Sequence, residues 1–190
     1  MIVDIGTGDG RAVLARAAAE PCALVIGVDA AAAAMADASR RADRRGPSNA
    51  LFLAGGAERL CASALAGRAD LVTVTFPWGS LLRGVLGLDQ AALDGIASIT
   101  GPCGRLEALV SVVPGDNVAG LDRLEASCEP LIRSAWAAAG LDLVTMRLAT
   151  ADEIDASGSS WARRLGTDRA TRPVWRLEGR RTATPPATLG

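Results

Sequence analysis

Apolar positions along this chain fall into short runs, and the stretches between them carry Ala and polar residues at helical spacing. Ile2, Val3 and Ile5 surround Asp4 and stop at three glycines, Gly6, Gly8 and Gly10, after which residues 11–19 read as an Ala-rich helix. Residues 23–28 form a second apolar run closed by Asp29. Residues 30–45 read as another helix, stopped by Gly46-Pro47. A third strand is expected over 49–54, a helix opening at Ala57, and a fourth strand over 70–76 that breaks at Pro77-Trp78-Gly79. Asp89 caps a helix reaching about Thr100, ended by Gly101-Pro102.

Further along, Leu106, Ala108, Val110 and Val112 alternate as a fifth strand. Residues 114–121 read as a loop, short and uncharged apart from Asp116. A long helix then sets Leu124, Cys128, Leu131 and Ala135 on one face, and Gly140 ends it. Residues 141–149 alternate as a strand with Val144, Met146 and Leu148 on one side; 152–156 is a short helix, 158–165 a polar connection and 172–178 the last strand. Strands alternating with helices at these intervals predict a doubly wound α/β fold with a parallel sheet. We expect a single domain over 1–181 and a disordered Pro- and Thr-rich tail over 182–190.

Composition narrows this picture without changing it. The chain has 190 residues, an apolar fraction of 49% and a net charge of −1, values that suit one globular domain and announce no nucleic acid by themselves. All 20 basic residues are Arg, and His and Tyr are absent, which removes the usual general base and metal ligand. Cys22, Cys61, Cys103 and Cys128 have no C-x-x-C spacing, so reduced thiols are expected and no metal site is. No signal peptide or apolar run of about 18 residues is visible, and the expectation is a cytoplasmic protein with no membrane partner.

The glycine turn joins a buried strand to a helix N-terminus, a place where the backbone approaches a ligand closely and free N–H groups face it. It reads G-x-G-x-G, with Arg11 where a dinucleotide fingerprint has its third glycine, which counts against NAD. Asp29 and Glu58 stand at consecutive strand ends, on the rim where a parallel sheet binds its ligand. Asp29 suits ribose hydroxyls or a helix N-cap; Glu58 suits the adenine or a first-turn charge. Asp4 inside a strand asks for a partner.

This layout resembles class I S-adenosylmethionine-dependent methyltransferases. The resemblance implies a Rossmann-like, mostly parallel seven-stranded sheet with a reversed last strand, with S-adenosylmethionine held over the first strands. Two further stretches, FPWGSLLRG (residues 76–84) and SSWARRL (159–165), place Trp78 and Trp161 on loops near that rim. Their wide faces suit clamping a flipped base, worth about 1–3 kcal/mol per base, whereas Trp136 and Trp175 read as core.

With VDIGTGDG, GVD and AERL in the same order, these stretches are similar to the 16S rRNA adenine-N1 methyltransferases of the aminoglycoside-resistance group. That resemblance implies methyl transfer to N1 of the decoding A-site adenine of the 30S subunit by a monomer. It implies Trp78 and Trp161 stacking on the base and Ser159 positioning it. Asp4, Gly6, Thr7, Gly8, Asp29, Ala57, Glu58 and Ser80 are the implied cofactor pocket. Arg40, Arg41, Arg44 and Arg45 form one basic helix face, and Arg163, Arg164, Arg169 and Arg172 a cluster beside Trp161; both are expected on rRNA. Members of that group carry a segment ahead of the first strand, which the sequence as given does not include. A small-molecule methyltransferase and a non-catalytic RNA- or ribosome-binding protein that keeps the fold are the alternatives.

Overall fold

The computed structural model of the protein describes residues 1–159, 161 and 171–182. The chain runs β1 (Ile2–Ile5), α1 (Arg11–Ala19), β2 (Val25–Asp29), α2 (Ala32–Arg45), β3 (Ala50–Ala54), a 3-10 helix (Ala57–Ala62), β4 (Ala69–Thr75), α3 (Gly79–Val85) and α4 (Gln90–Ile99). It continues through β5 (Thr100–Val110), a short 3-10 turn (Ala126–Cys128), α5 (Glu129–Ala138), β6 (Leu141–Leu148), α6 (Ala151–Ala156) and β7 (Trp175–Arg181).

The strands make one seven-stranded sheet in the order β3-β2-β1-β4-β5-β7-β6. Pairings from β3 through β5 are parallel, and β7 alone runs antiparallel to both neighbours. This is the doubly wound sheet with a reversed last strand. The order reverses at β1 and β4, so the chain leaves these two strands in opposite directions and opens a crevice at their C-terminal ends.

Alternation along the strands sends side chains to two cores. Ile2, Val25, Ala50 and Leu71 pack with Val13 and Ala17 of α1. Val3, Ile26, Val72 and Val74 pack on the other face with Leu93 and Ile96 of α4 and Ile132 and Trp136 of α5. Trp136 is fully buried, its Nε1 donating to the Val85 carbonyl at 2.8 Å, and Gly179 of β7 leaves room for its ring. Trp175 is half-buried against the same core.

Four expectations are corrected. The helix after the 114–121 loop is shorter than expected: Pro130 fits the first turn, so α5 begins at Glu129. Ile132 and Trp136 are its buried residues, while Leu131 is 54% exposed. β5 begins at Thr100, because Gly101-Pro102 enters an irregular pairing with β4 rather than a loop, with Cys103 at φ 62°. In β6 a register shift between Leu143 and Thr145 breaks the alternation; Leu141 and Leu143 are buried, and Val144 and Leu148 lie exposed on the edge strand. The last strand is Trp175–Arg181, and Thr182, expected in the tail, is tied down by its amide and hydroxyl to the Gly140 carbonyl.

Candidate active site

The crevice at the ends of β1, β2 and β4 holds a cavity of about 350 Å³, an ordinary size for a small-molecule site. Its floor is the glycine turn. Gly6, Gly8 and Gly10 have φ of 75°, 60° and 70°, in the left-handed region that L-residues avoid. Each has a different neighbour. A Cβ on Gly6 would strike Leu81; one on Gly10 would strike the Phe52 ring and Ala38; one on Gly8 would meet nothing within 4 Å, because it points into the cavity. Gly10 therefore provides the close packing expected of a third glycine one position later.

The turn is tied to the end of β2. Amides of Gly6 and Thr7 donate to the Val28 carbonyl at 2.8 and 3.2 Å. Asp29 does not cap α2. Its Oδ2 accepts the Gly8 amide and its Oδ1 the Ala31 amide, each at 2.8 Å. Its carboxylate thus fixes the glycine turn while facing the cavity, and α2 starts without a side-chain cap.

Asp4 lies beneath. Thr73 donates its hydroxyl to Asp4 Oδ1 at 2.7 Å. Burial pushes the Asp4 carboxyl above the usual range, opposed by that hydrogen bond and more weakly by the nearby Thr7 hydroxyl. The Thr7 Oγ1 atom is buried without a hydrogen bond of ordinary geometry. An orphaned hydroxyl and an under-neutralised carboxylate at the mouth of open space fit a cationic, hydrogen-bonding ligand.

The opposite wall comes from two connections. Phe76 ends β4 at φ 49°, a strained value for a bulky residue, and Gly79 follows at 59°. These two turns carry Pro77 and Trp78 over the cavity and start α3, so Ser80 lies in the first helical turn rather than in a loop. On the other side Ser159 Oγ accepts the Trp161 amide at 3.1 Å, and Trp161 packs against Phe76, Leu109, Ile154 and Val174. The two indole rings meet with centroids 5.5 Å apart and planes tilted by 42°.

Asp4, Gly6, Thr7, Gly8, Asp29, Ala57, Ser80, Trp78, Ser159 and Trp161 all line this cavity. Glu58 does not: it is exposed in the 3-10 helix, and its carboxylate lies over Gly56, close enough to collide with a Cβ there. Gly55, Gly56, Ala12 and Gly158 also line it, small residues with no chemical signal in the sequence. A second cavity of about 380 Å³ shares Asp4, Ala12 and Gly158 with the first and opens toward Glu107, Glu153 and Arg176.

Arg40, Arg41 and Arg44 are exposed and border a wide surface depression with Asp9 and Arg11; Asp9 also lines the cavity, and the three arginines do not. Arg40 is ion-paired to Asp37 one turn earlier. Arg163, Arg164, Arg169 and the side chain of Arg45 lie outside the described residues. Among the described residues no group of three His, Cys, Asp or Glu side chains is placed to hold a metal.

A parallel sheet of this order, with a glycine turn after β1, a carboxylate closing β2 and a reversed β7, defines a class I S-adenosylmethionine-dependent methyltransferase with a Rossmann-like fold. Residues 1–179 match the family model described as NpmA, 16S rRNA (adenine(1408)-N(1))-methyltransferase. The 16S rRNA (adenine(1408)-N(1))-methyltransferase of Streptoalloteichus hindustanus is 34% identical over 192 residues, covering 95% of this chain and 86% of that protein.

Among solved structures, a variant of the enzyme of the same description from Catenulisporales acidiphilia, with cosubstrate SAM, is 32% identical. It matches with a TM-score of 0.83 over 95% of this chain and 85% of that one. The aminoglycoside resistance methyltransferase NpmB1 is 34% identical, with a TM-score of 0.75 over 95% of this chain and 86% of that one. The chain belongs to the 16S rRNA (adenine(1408)-N(1))-methyltransferase family, and its activity is the one that defines the family: methyl transfer from S-adenosylmethionine to 16S rRNA.

Proposed function

We propose that the cavity performs this transfer with a preformed cofactor cradle at one end and a two-tryptophan base clamp at the other. The target is N1 of adenine 1408, reached within the 30S subunit, and the outcome is aminoglycoside resistance. The observation that carries the reading is the convergence of Trp78 and Trp161 over the cavity that Gly8, Asp29 and Asp4 floor.

When bound, S-adenosylmethionine supplies an activated, electrophilic methyl group. Asp29, the backbone from Gly6 to Gly8, Asp4, Thr7 and Ala57 would hold the cofactor. Glu58 reaches the cofactor only if its side chain swings off Gly56. Adenine N1 brings a lone pair and no proton, so the residues need only orient and enclose it, and a chain without His is competent for this. Stacked indoles also favour the positive charge the ring acquires. Ser159 and Ser80 border the space around the base, and Phe76 and Pro77 belong to the same wall.

Arg40, Arg41 and Arg44, with Arg45, Arg163, Arg164 and Arg169, supply the basic contacts to rRNA phosphates. Among the described residues no helix is long and apolar enough to cross a membrane; the ribosome as substrate places the enzyme in the cytoplasm. The described residues of a single chain enclose both ends of the cavity, which supports a monomer as the active species. The test is labelled methyl incorporation into intact 30S subunits, followed by mapping of reverse-transcription stops. A stop at adenine 1408 is expected. Trp161→Ala lowers the rate by about ten- to a hundredfold, the worth of one stacking contact, with cofactor affinity unchanged. Full turnover in that variant would remove the clamp.

A further inference from the structure

One polar contact belongs neither to the cradle nor to the clamp. Asp116, in the connection between β5 and α5, accepts two hydrogen bonds from Arg172, Nη1 to Oδ2 and Nη2 to Oδ1, both 2.8 Å. Its Oδ2 also accepts the Val113 amide at 3.0 Å. The two side chains are only 9% and 18% exposed, so this is no solvated surface pair. Desolvating both ions is costly, and a fork-to-fork geometry recovers that cost only where it is held rigidly. The guanidinium also holds the Asp116 carboxyl below the usual carboxylate range.

The direction of that rigidity is visible in what Arg172 touches. Its guanidinium carbon lies 5.9 Å from the centre of the Trp161 ring, within cation–π reach. Trp161 is further held by the Phe76, Leu109, Ile154 and Val174 cluster and by its amide on Ser159. Ser111 Oγ donates to the Pro173 carbonyl at 2.8 Å, fixing the backbone next to Arg172. Among the described residues Trp78 has none of this support. It is 48% exposed, and α3 begins beyond it without a side-chain cap.

The indole centroids are 5.5 Å apart, too close to admit a base between them, which takes two ring contacts of about 3.5–4.0 Å each. One jaw has to move for the base to enter. Building on the clamp reading, we infer that the Asp116–Arg172 pair is a positioning device that holds Trp161 as the fixed jaw, leaving Trp78 as the jaw that moves. Asp116 and Arg172 act through Trp161; neither touches the reacting atoms.

The test compares Asp116→Asn, Arg172→Gln and Arg172→Lys with the parent enzyme on intact 30S subunits. Each variant is expected to lower kcat by about three- to thirtyfold, the range of one cation–π contact. The dissociation constant for S-adenosylmethionine stays within twofold. The Asp116→Asn/Arg172→Gln double variant loses no more than either single one, because the two residues act as a unit. A spectroscopic readout accompanies this: the near-UV circular dichroism couplet of the stacked indoles, assigned by its loss in Trp78→Phe, weakens in Asp116→Asn. Arg172→Lys keeps the buried charge and serves where Arg172→Gln fails to fold. Unchanged kcat and couplet in folded Asp116→Asn would overturn the positioning role while leaving the clamp intact, provided Trp161→Ala stays impaired. Full activity of Trp161→Ala would remove the clamp, and the positioning role with it.

Discussion

The two ends of the cavity are held by different means. At the cofactor end the holding is done by backbone: three glycines at positive φ, two amides on the Val28 carbonyl, and two more on the Asp29 carboxylate. At the target end it is done by side chains from connections far apart in the chain, meeting as an indole pair with an arginine behind it. A site that takes the same small molecule at every turnover gains from being preformed. A site that receives a base drawn out of RNA has to open, and contacts between side chains part more readily than a hydrogen-bonded turn. The difference predicts that damage at the first end is read in stability and cofactor affinity, and at the second in turnover.

Gly10→Ala strains this division most. Its left-handed backbone costs about 1–2 kcal/mol for a residue with a Cβ. The collision with Phe52 and Ala38 adds overpacking of about 1–3 kcal/mol. Urea denaturation is expected to show a loss of about 2–5 kcal/mol. Gly8→Ala carries the same backbone cost without the collision, so its loss of stability stops at about 1–2 kcal/mol. Its methyl group enters the cavity instead, and calorimetry should find S-adenosylmethionine binding at least about tenfold weaker, equivalent to about 1.4 kcal/mol. If Gly8→Ala binds the cofactor as the parent does, the cradle has been assigned to the wrong end.

Asp29→Ala removes an acceptor from two amides at once. Charge-assisted hydrogen bonds of this kind are worth about 1.5–3 kcal/mol each where water cannot replace them; Asp29 is half-buried, so a total of about 2 kcal/mol is expected from thermal unfolding. Cofactor affinity falls with it, since the glycine turn loses its tie. Asp29→Asn keeps one acceptor oxygen and should fall between. The KM for 30S subunits stays at the parent value in both, and a rise there would show that the two ends are not independent.

Much of the glycine-turn end of the cavity was legible because its determinants are contiguous. A strand, a glycine turn and a helix follow one another within residues 1–19, and Asp29 ends the very next strand. The two loop tryptophans stood out for a related reason: an indole beside proline, glycine or serine at a strand end has no core to enter. The Asp116–Arg172 pair was not legible, since 56 residues separate its members and only the reversed β7 brings them together. Asp116 looked like the lone charge of a plain loop. The face of α5 was misread because apolar spacing admits Leu131 as well as Ile132, and only the start fixed by Pro130 and the packing of Trp136 under β7 decide between them. Val144 followed the alternation of β6 up to a register shift that no local pattern announces. Glu58 sits at a strand end as expected, but its side chain folds back over Gly56.

The smallest expected effect sharpens the target end. α6 leads into Ser157, Gly158 and Ser159, and it is started by a capping box in which Thr150 Oγ1 accepts the Glu153 amide and Glu153 accepts the Thr150 amide. Glu153 also takes two hydrogen bonds from Arg147 and lies 3.5 Å from Arg176. The Arg147 bonds and the Thr150 amide lower its pKa from 4.5 to about 2. A carboxylate depressed on folding stabilises the native state fully above its unfolded pKa and loses that contribution as pH falls through its folded value. The stabilisation from Glu153 is therefore complete above about pH 4.5 and drains away toward pH 2. In Glu153→Gln, thermal unfolding across this window should have a shallower pH dependence than in the parent. At neutral pH the variant should lose about 1 kcal/mol or less, because the group keeps some solvent and the amide still caps weakly. Cofactor affinity should not change. If it drops together with stability, α6 supports the glycine turn through the shared cavity wall, and the target end is less separate from the cradle than the hydrogen bonds indicate.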